Sequence, residues 1–301
     1  MSQIAVKLMA LLGLPGVGPV KARKVFSTSA VIEQSGEPAE EAFRQAARSL
    51  LTPDQQTKLS ENLLRAAREV KALEEQSVTI LTFFDERYPP GLKGKLREDA
   101  PLLLLCRGNI KLFHSPAVGF CGSRGASEKG LAAAWNSAVA LAEAHVNVVS
   151  GYAAGVDISA HTGALKAGGT TTIVLAEGIG HFRIKKDIKP LWDEERVLVI
   201  SEFGTQTPWS VGRAMQRNKT ICALSQALIL VEAKDSGGSF AAGKECLKLG
   251  MPLFAAVYQG APESARGNEA VLDIGAKPLW KNRRTNLPNL QPVLETIGAG
   301  A

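Results

Sequence analysis

The 301-residue sequence is short of several features, and each shortage excludes a class of protein. Four cysteines are present, Cys106, Cys121, Cys222 and Cys246, with no C-x-x-C pair and no histidine nearby at metal-ligand spacing. That argues against a disulfide scaffold and against a structural zinc site. Three of the four sit in apolar stretches, where free cysteine behaves as a small buried hydrophobe, so a reducing, cytoplasmic setting is expected. No apolar run is long enough to span a bilayer. Residues 1–10 carry one lysine and no small-residue cleavage pattern after them, and read as the first turns of a helix rather than a signal peptide. The chain also has no G-x-x-x-x-G-K-[ST] loop, no G-x-G-x-x-G spacing and no cluster of carboxylates, so neither a metal nor a cofactor is expected.

What is present is the balance of a globular protein, 45% hydrophobic and 21% charged. The net charge of +6 and pI near 9.1 lean towards polyanionic partners without proving one. Residues 11–26 hold two apolar stretches joined by Pro15-Gly16-Val17-Gly18-Pro19, a tight turn between helices. Helical patterning continues over 39–50 and 53–73, with Thr52 as N-cap and Pro53 in the first helical position. The rhythm changes near Gln76. Short apolar runs then recur at 78–82, 102–106, 118–121, 146–149, 171–175, 196–200, 227–231 and 253–257, with helical stretches at 129–144, 158–167 and 239–249. Tyr88-Pro89-Pro90-Gly91 reads as loop punctuation.

Strands apolar on both faces and alternating with helices predict a Rossmann-like, mostly parallel α/β sheet with helices on both faces. A small all-helical domain over 1–76 precedes it, the sheet domain covers 77–285, and 286–301 form a short tail with no winged helix.

In such a sheet, ligands bind where strands end and helices begin. Three of these junctions are rich in glycine and serine. Gly122-Ser123-Arg124 precedes one helix, and the stretch from Ser150-Gly151 to Asp157 precedes a second. Gly237-Gly238-Ser239 opens a third, which carries Lys244. Glycine admits a ligand to the backbone, helix N-termini offer free N–H groups, and arginine adds a fork of donors, a combination suited to phosphate. Arg213, Arg217 and Lys219, with Asn218, add cations just upstream of the strand at 227–231. A charge run of this kind is more often a solvated helix face. Asp157 and His161 stand at i, i+4, but without a nucleophile at elbow spacing they read as packed or hydrogen-bonded within the helix. Glu177, Glu202 and Glu232 each follow a different strand and read as hydrogen-bond acceptors at the sheet edge.

Taken in order, these stretches resemble the DprA/Smf DNA-processing family. The matching pieces are Gly122-Ser123-Arg124, Ser150-Gly151 with Gly155-Val156-Asp157 and His161, residues 163–169, Ser201-Glu202-Phe203, Arg217-Asn218-Lys219 with Ser225, and Arg266-Gly267-Asn268 with Ile274-Gly275-Ala276. The resemblance implies a non-catalytic, dimeric protein that binds and protects single-stranded DNA and loads a RecA-type recombinase during transformation or recombination. Carried over by position, Arg124 would hold a phosphate and Arg217 with Lys219 would line the same basic pocket, while Gly122, Gly151 and Gly238 would let the strand approach the backbone. The family usually has a phenylalanine and a proline just ahead of its Arg-Asn pair. Here Ala214 and Met215 stand there, so Trp209 or Phe203 would have to supply a stacking ring.

Two other readings stay open. Gly237-Gly238-Ser239 is also similar to the glycine-rich loop of the LOG-like superfamily, which implies a small-nucleotide sensor or hydrolase. The Pro-Gly-Val-Gly-Pro turn resembles a helix-hairpin-helix beside Lys21, Arg23 and Lys24, although an ordinary packing or partner-docking turn is favoured.

Overall fold

The computed structural model describes residues 2–260 and 263–299, so Met1 lies outside the described residues. The chain packs as two compact units, one of Met1–Tyr88 with Glu98–Leu105 and one of Pro89–Arg97 with Cys106–Ala301.

The first unit holds α1 (Gln3–Leu12), α2 (Pro19–Gln34), α3 (Ala39–Leu50), α4 (Pro53–Glu75), β1 (Val78–Thr82) and the first half of β2 (Leu103–Gly108). The start of α4 is a reciprocal cap. The Thr52 hydroxyl accepts from Gln55 N at 3.3 Å, and Gln55 Oε1 accepts from Thr52 N at 3.1 Å. Gln55 Nε2 also donates to the Pro15 carbonyl at 2.8 Å, which ties the glycine turn to α4. That turn runs through Gly16 at φ +73°, a left-handed conformation that glycine adopts without penalty. Its cations are largely engaged within the unit. Lys21 Nζ donates to Gln55 Oε1 at 2.8 Å, and Arg23 donates to the Ala100 carbonyl at 3.1 Å while stacking on Phe83.

The second unit begins with α5 (Pro90–Leu96) and continues as β3 (Ala117–Cys121), α6 (Glu128–Glu143), β4 (Asn147–Ser150), α7 (Val156–Lys166), β5 (Thr171–Val174) and β6 (Val197–Ser201). Then follow α8 (Val211–Leu224), β7 (Ala227–Leu230), α9 (Gly238–Lys248), β8 (Leu253–Ala256), α10 (Arg266–Asp273), β9 (Lys277–Leu279) and α11 (Gln291–Thr296). Its strands lie in the order β6-β5-β4-β3-β7-β8-β9, and every neighbouring pair is parallel.

The two faces follow from the alternation of side chains along a strand. Val118 and Phe120 of β3 enter a core with α6, α7 and Val293 of α11. Gly119 between them faces the other way, towards Ile221 of α8, and a Cβ there would come within 2.6 Å of Leu228. Helices therefore cover both faces, as the alternating pattern predicts.

Two local readings change. Pro90-Gly91, read as loop, open α5, because proline is tolerated at the first helical position, where its missing N–H has no partner to lose. The three-residue β9 escaped detection because it contains Pro278 and only one buried residue, Leu279. Residues of the tail also pack: Leu290 and Val293 are buried in the main core.

The packing of α7 on α6 rests on a glycine. A Cβ on Gly163 of α7 would lie 2.7 Å from the Trp135 carbonyl oxygen and 3.3 Å from Ala138 Cβ on α6. Gly163→Val is expected to destabilise the protein by about 1–3 kcal/mol, read as a lowered urea midpoint. An unchanged midpoint would show that the two helices can separate without loss.

Candidate functional site

The chain runs from β3 outward through β4, β5 and β6, then returns to place β7 on the other side of β3. The sheet thus reverses direction between β3 and β7, and the crevice above the carboxyl ends at such a switch point is where open parallel sheets bind ligands. A cleft of about 690 Å³ lies there, lined by residues 120–125, by Trp209, Met215, Arg217 and Asn218, and by residues 236–239 with Lys234.

The loop carrying Arg124 is built from both sides. Ser123 N donates to the Glu232 carbonyl at 2.7 Å, and the buried Glu232 carboxylate accepts from Ser127 N at 2.9 Å, from the Ser127 hydroxyl at 2.5 Å and from the Ser264 hydroxyl at 2.8 Å. Ser127 is the N-cap of α6, so the carboxylate also sits at the positive end of that helix. Gly155, at φ +81°, closes the other side: a Cβ there would lie 2.5 Å from the Ser123 carbonyl oxygen. Held this way, Arg124 is exposed, with its guanidinium 5.2 Å from the centre of the Trp209 ring. Trp209 is 46% exposed, whereas Phe203 is 9% exposed. Of the two rings considered from the sequence, only Trp209 lines the cleft.

Arg217 is the centre of the site. It projects from α8 and is buried, and its guanidinium occupies the space above Gly151, where a Cβ would lie 2.0 Å from Nη1. Burial pulls its pKa down, opposed by Asp157, Glu177 and Glu202. Its Nε has no hydrogen-bond partner. The close approaches at two sequence-predicted glycines are thus made from within the protein: Arg217 at Gly151, and Val156 at Gly122, where a Cβ would meet its Cγ2 at 2.4 Å.

The remaining predicted residues divide. Asn218, Gly238 and Ser239 line the cleft, with Asn218 Nδ2 donating to the Gly238 carbonyl at 3.4 Å. Lys219 pairs with Glu245 on α9 at 3.8 Å, and the Lys244 ammonium lies 5.7 Å from the Phe240 ring; neither lines the cleft. Lys185 was not singled out from the sequence, because it stands in the long connection between β5 and β6, beyond Gly178 and Gly180 and away from the three glycine- and serine-rich junctions. Its Nζ donates to the Tyr152 carbonyl, and burial pulls its pKa down, with the nearby Arg124 charge a lesser contributor.

Asp157 and His161 do not pair. Asp157 accepts from the Ser150 hydroxyl at 2.9 Å and from Ala153 N at 3.0 Å. His161 lies between the Gly151 carbonyl and the Thr171 hydroxyl, each at 2.6 Å. A carbonyl only accepts, so Nε2 carries the proton of the neutral ring. Burial lowers the His161 pKa to about 4. The carboxyl of Glu202 accepts from Thr220 at 2.9 Å through Oε2, while its Oε1 is buried without a partner. Burial raises its pKa to about 7 against the pull of that hydrogen bond, Arg217 and Lys219. Among the described residues no group of three or more histidine, cysteine or acidic side chains is placed to hold a metal.

The model of the family described as DNA recombination-mediator protein A matches residues 79–287. The chain belongs to this DprA/Smf family. It is 33% identical over 182 residues to the DNA processing protein DprA of Streptococcus pneumoniae, a match spanning 60% of this chain and 63% of that protein. It is 28% identical over 261 residues to the protein Smf of Escherichia coli, covering 84% of this chain and 66% of that one. The chain thus spans about two thirds of the length of these relatives. The solved DprA of S. pneumoniae shares the fold with a TM-score of 0.74 at 24% identity, covering 93% of this chain and 95% of that one. DNA processing protein A of Helicobacter pylori, whose solved structure concerns that protein's single-stranded DNA binding mode, superposes with a TM-score of 0.57 at 25% identity, over 67% of this chain and 90% of that one.

His161 and Glu202 act on stability with opposite signs. The His161 pKa falls on folding from 6.5 to about 4, so its contribution is present above pH 6.5 and is lost as pH falls towards 4. The Glu202 pKa rises from 4.5 to about 7, so its contribution is present below pH 4.5 and is lost as pH rises through 7. Each change is on the order of 3 kcal/mol, and in the wild type the two offset. The wild-type profile is therefore flat between pH 4.5 and 6.5, Glu202→Gln is expected to gain stability with rising pH over that range, and His161→Gln to lose it. Parallel pH profiles of urea midpoints for the wild type and both variants would overturn the assignment.

Proposed function

We propose that the cleft between β3 and β7 binds single-stranded DNA. The observation that carries this reading is the pairing of Arg124 with the half-exposed Trp209 ring beside the buried Arg217, at the sheet's switch point. A strand of nucleic acid offers phosphates to cations and bases to aromatic faces, and this cleft presents both within one opening. The exposed residues 236–238 lead into α9 and add the amides at its start, with the half-buried Ser239 side chain beside them. Trp209 takes the place of the ring absent at 214–215, and the Met215 thioether adds a soft apolar wall.

The wider role follows the family: a protein that protects single strands, works as a homodimer and loads a RecA-type recombinase without itself catalysing a reaction. No helix of the described residues is long and apolar enough to cross a membrane.

Fluorescence anisotropy of a labelled oligonucleotide, single-stranded against duplex, tests the reading across a salt series. The wild type should prefer the single strand. Arg124→Ala should lower affinity and flatten the log-log salt slope by about 0.7, the value of one phosphate contact. Trp209→Ala should cost about 1–3 kcal/mol, the worth of one stacked base, with little change in slope. Arg217→Ala should weaken single-strand binding, and Gly151→Ala should do the same, because its methyl group would displace the Arg217 guanidinium. Thermal stabilisation by a mononucleotide, with none by oligonucleotides, would replace this reading with a small-nucleotide sensor.

A further inference from the structure

The sheet's ligand edge continues past the cleft. Because every strand of this unit is parallel, the segment leaving the carboxyl end of β9 emerges on the same edge as Gly122 and Glu232. Two strand spacings separate β7 from β9, about 10 Å. The emerging segment is an ordered hairpin. Lys281 bridges antiparallel to Pro288, Asn289 N donates to the Trp280 carbonyl at 2.8 Å, and Asn282 N donates to the Leu287 carbonyl at 2.7 Å. At the tip the Asn282 side chain accepts from Arg284 N at 2.9 Å and from Thr285 N at 3.3 Å, and Asn286 adopts φ +57°, a conformation that asparagine tolerates better than most residues.

This hairpin presents Trp280 at 58% exposure, with Lys281, Arg283 and Arg284 exposed around it. No acidic residue occurs between Asp273 and Glu295. No ion pair among the described residues reaches those three cations. Burying three unneutralised charges against an ordinary protein surface is unfavourable, whereas a run of phosphates neutralises them as it binds. An exposed indole among such cations suits a base released from pairing. Lys277 and Pro278 on the edge strand are residue types that discourage another strand from adding to the sheet, which argues against a β-sheet partner there.

We propose that the hairpin at 280–289 is a second contact for single-stranded nucleic acid, engaging the strand as it leaves the cleft, with Trp280 stacking on a base and Arg283 and Arg284 holding phosphates. The inference rests on the cleft being the primary site. It assigns to the hairpin a dependence of affinity on strand length that the cleft alone does not supply.

The test compares oligo-dT of about 6 and about 20 nucleotides, bracketing the site sizes of single-strand binders, for the wild type, Arg283→Ala/Arg284→Ala and Trp280→Ala. All these side chains are exposed, so the folded state is retained. The double variant should bind the long oligonucleotide at least ~10-fold more weakly, with the salt slope flattened by about 1.4, and bind the short one as the wild type does. Trp280→Ala should weaken only the long oligonucleotide. Unchanged long-strand affinity and slope, with short-strand binding intact, would overturn the hairpin contact and leave the cleft standing. Loss of self-association in Trp280→Ala, seen by light scattering with long-strand affinity unchanged, would also overturn it and mark a surface between copies. Failure of the wild type to bind either length would remove the cleft reading and this one together.

Discussion

The site is organised by a single requirement: a guanidinium that cannot shed its proton is buried. Arg217 has no neutral form to retreat to, so the protein must supply space and opposite charge around it. Space comes from Gly151, because any side chain there would overlap Nη1. Opposite charge comes from Asp157, Glu177 and Glu202, which lie after β4, β5 and β6 respectively. The neutral state of His161 follows as well, since burial and the cations Lys185 and Arg217 oppose a further positive charge beside it. Residues scattered over some seventy positions of sequence are therefore answers to one electrostatic problem.

Glu232 performs a parallel task on the other side of β3. Its carboxylate gathers Ser127, at the cap of α6, and Ser264, while its carbonyl holds Ser123. Gly130 leaves the room this needs, since a Cβ there would come within 2.4 Å of Oε1. The loop bearing Arg124 is thus fixed by backbone and capping bonds, with no demand on the arginine itself. That is why Arg124 is free to stand in solvent against Trp209. One arginine is held and the other is presented, and the difference lies in which element carries each.

Much of this was legible in the sequence because the governing signals are local. The apolar runs, the Thr52-Pro53 start of α4 and the glycine-bearing junctions located eight strands and the ligand edge of the sheet, since period, caps and punctuation are properties of neighbouring residues. The functions of the glycines were harder to read. Gly122 and Gly151 look like openings for a ligand, yet Val156 and Arg217, distant in sequence, fill them. Arg217, Asn218 and Lys219 are consecutive, and helical geometry sends them to different surroundings: a buried niche, the cleft wall and an ion pair with Glu245. Lys185 and β9 left no local signal at all. Which of two rings would serve the cleft depended on burial, and burial is decided by the whole fold.

The partition between buried and exposed cations bears on how the cleft attracts a polyanion. Exposed charges such as Arg124 and Lys234 act through counterion release and weaken as salt rises. Arg217 sits in a low-dielectric setting where salt hardly reaches, but it is largely compensated by its own carboxylates. Its contribution to the field at the cleft therefore depends on how complete that compensation is. Glu202 is the adjustable member, because burial brings its titration to about 7. With Glu202 protonated, one balancing charge is removed and more of the Arg217 charge is felt outside. With Glu202 ionised, the pair is closer to neutral. The net charge of +6 says little about this site, since the decisive quantity is the balance among four buried or half-buried groups behind the cleft wall.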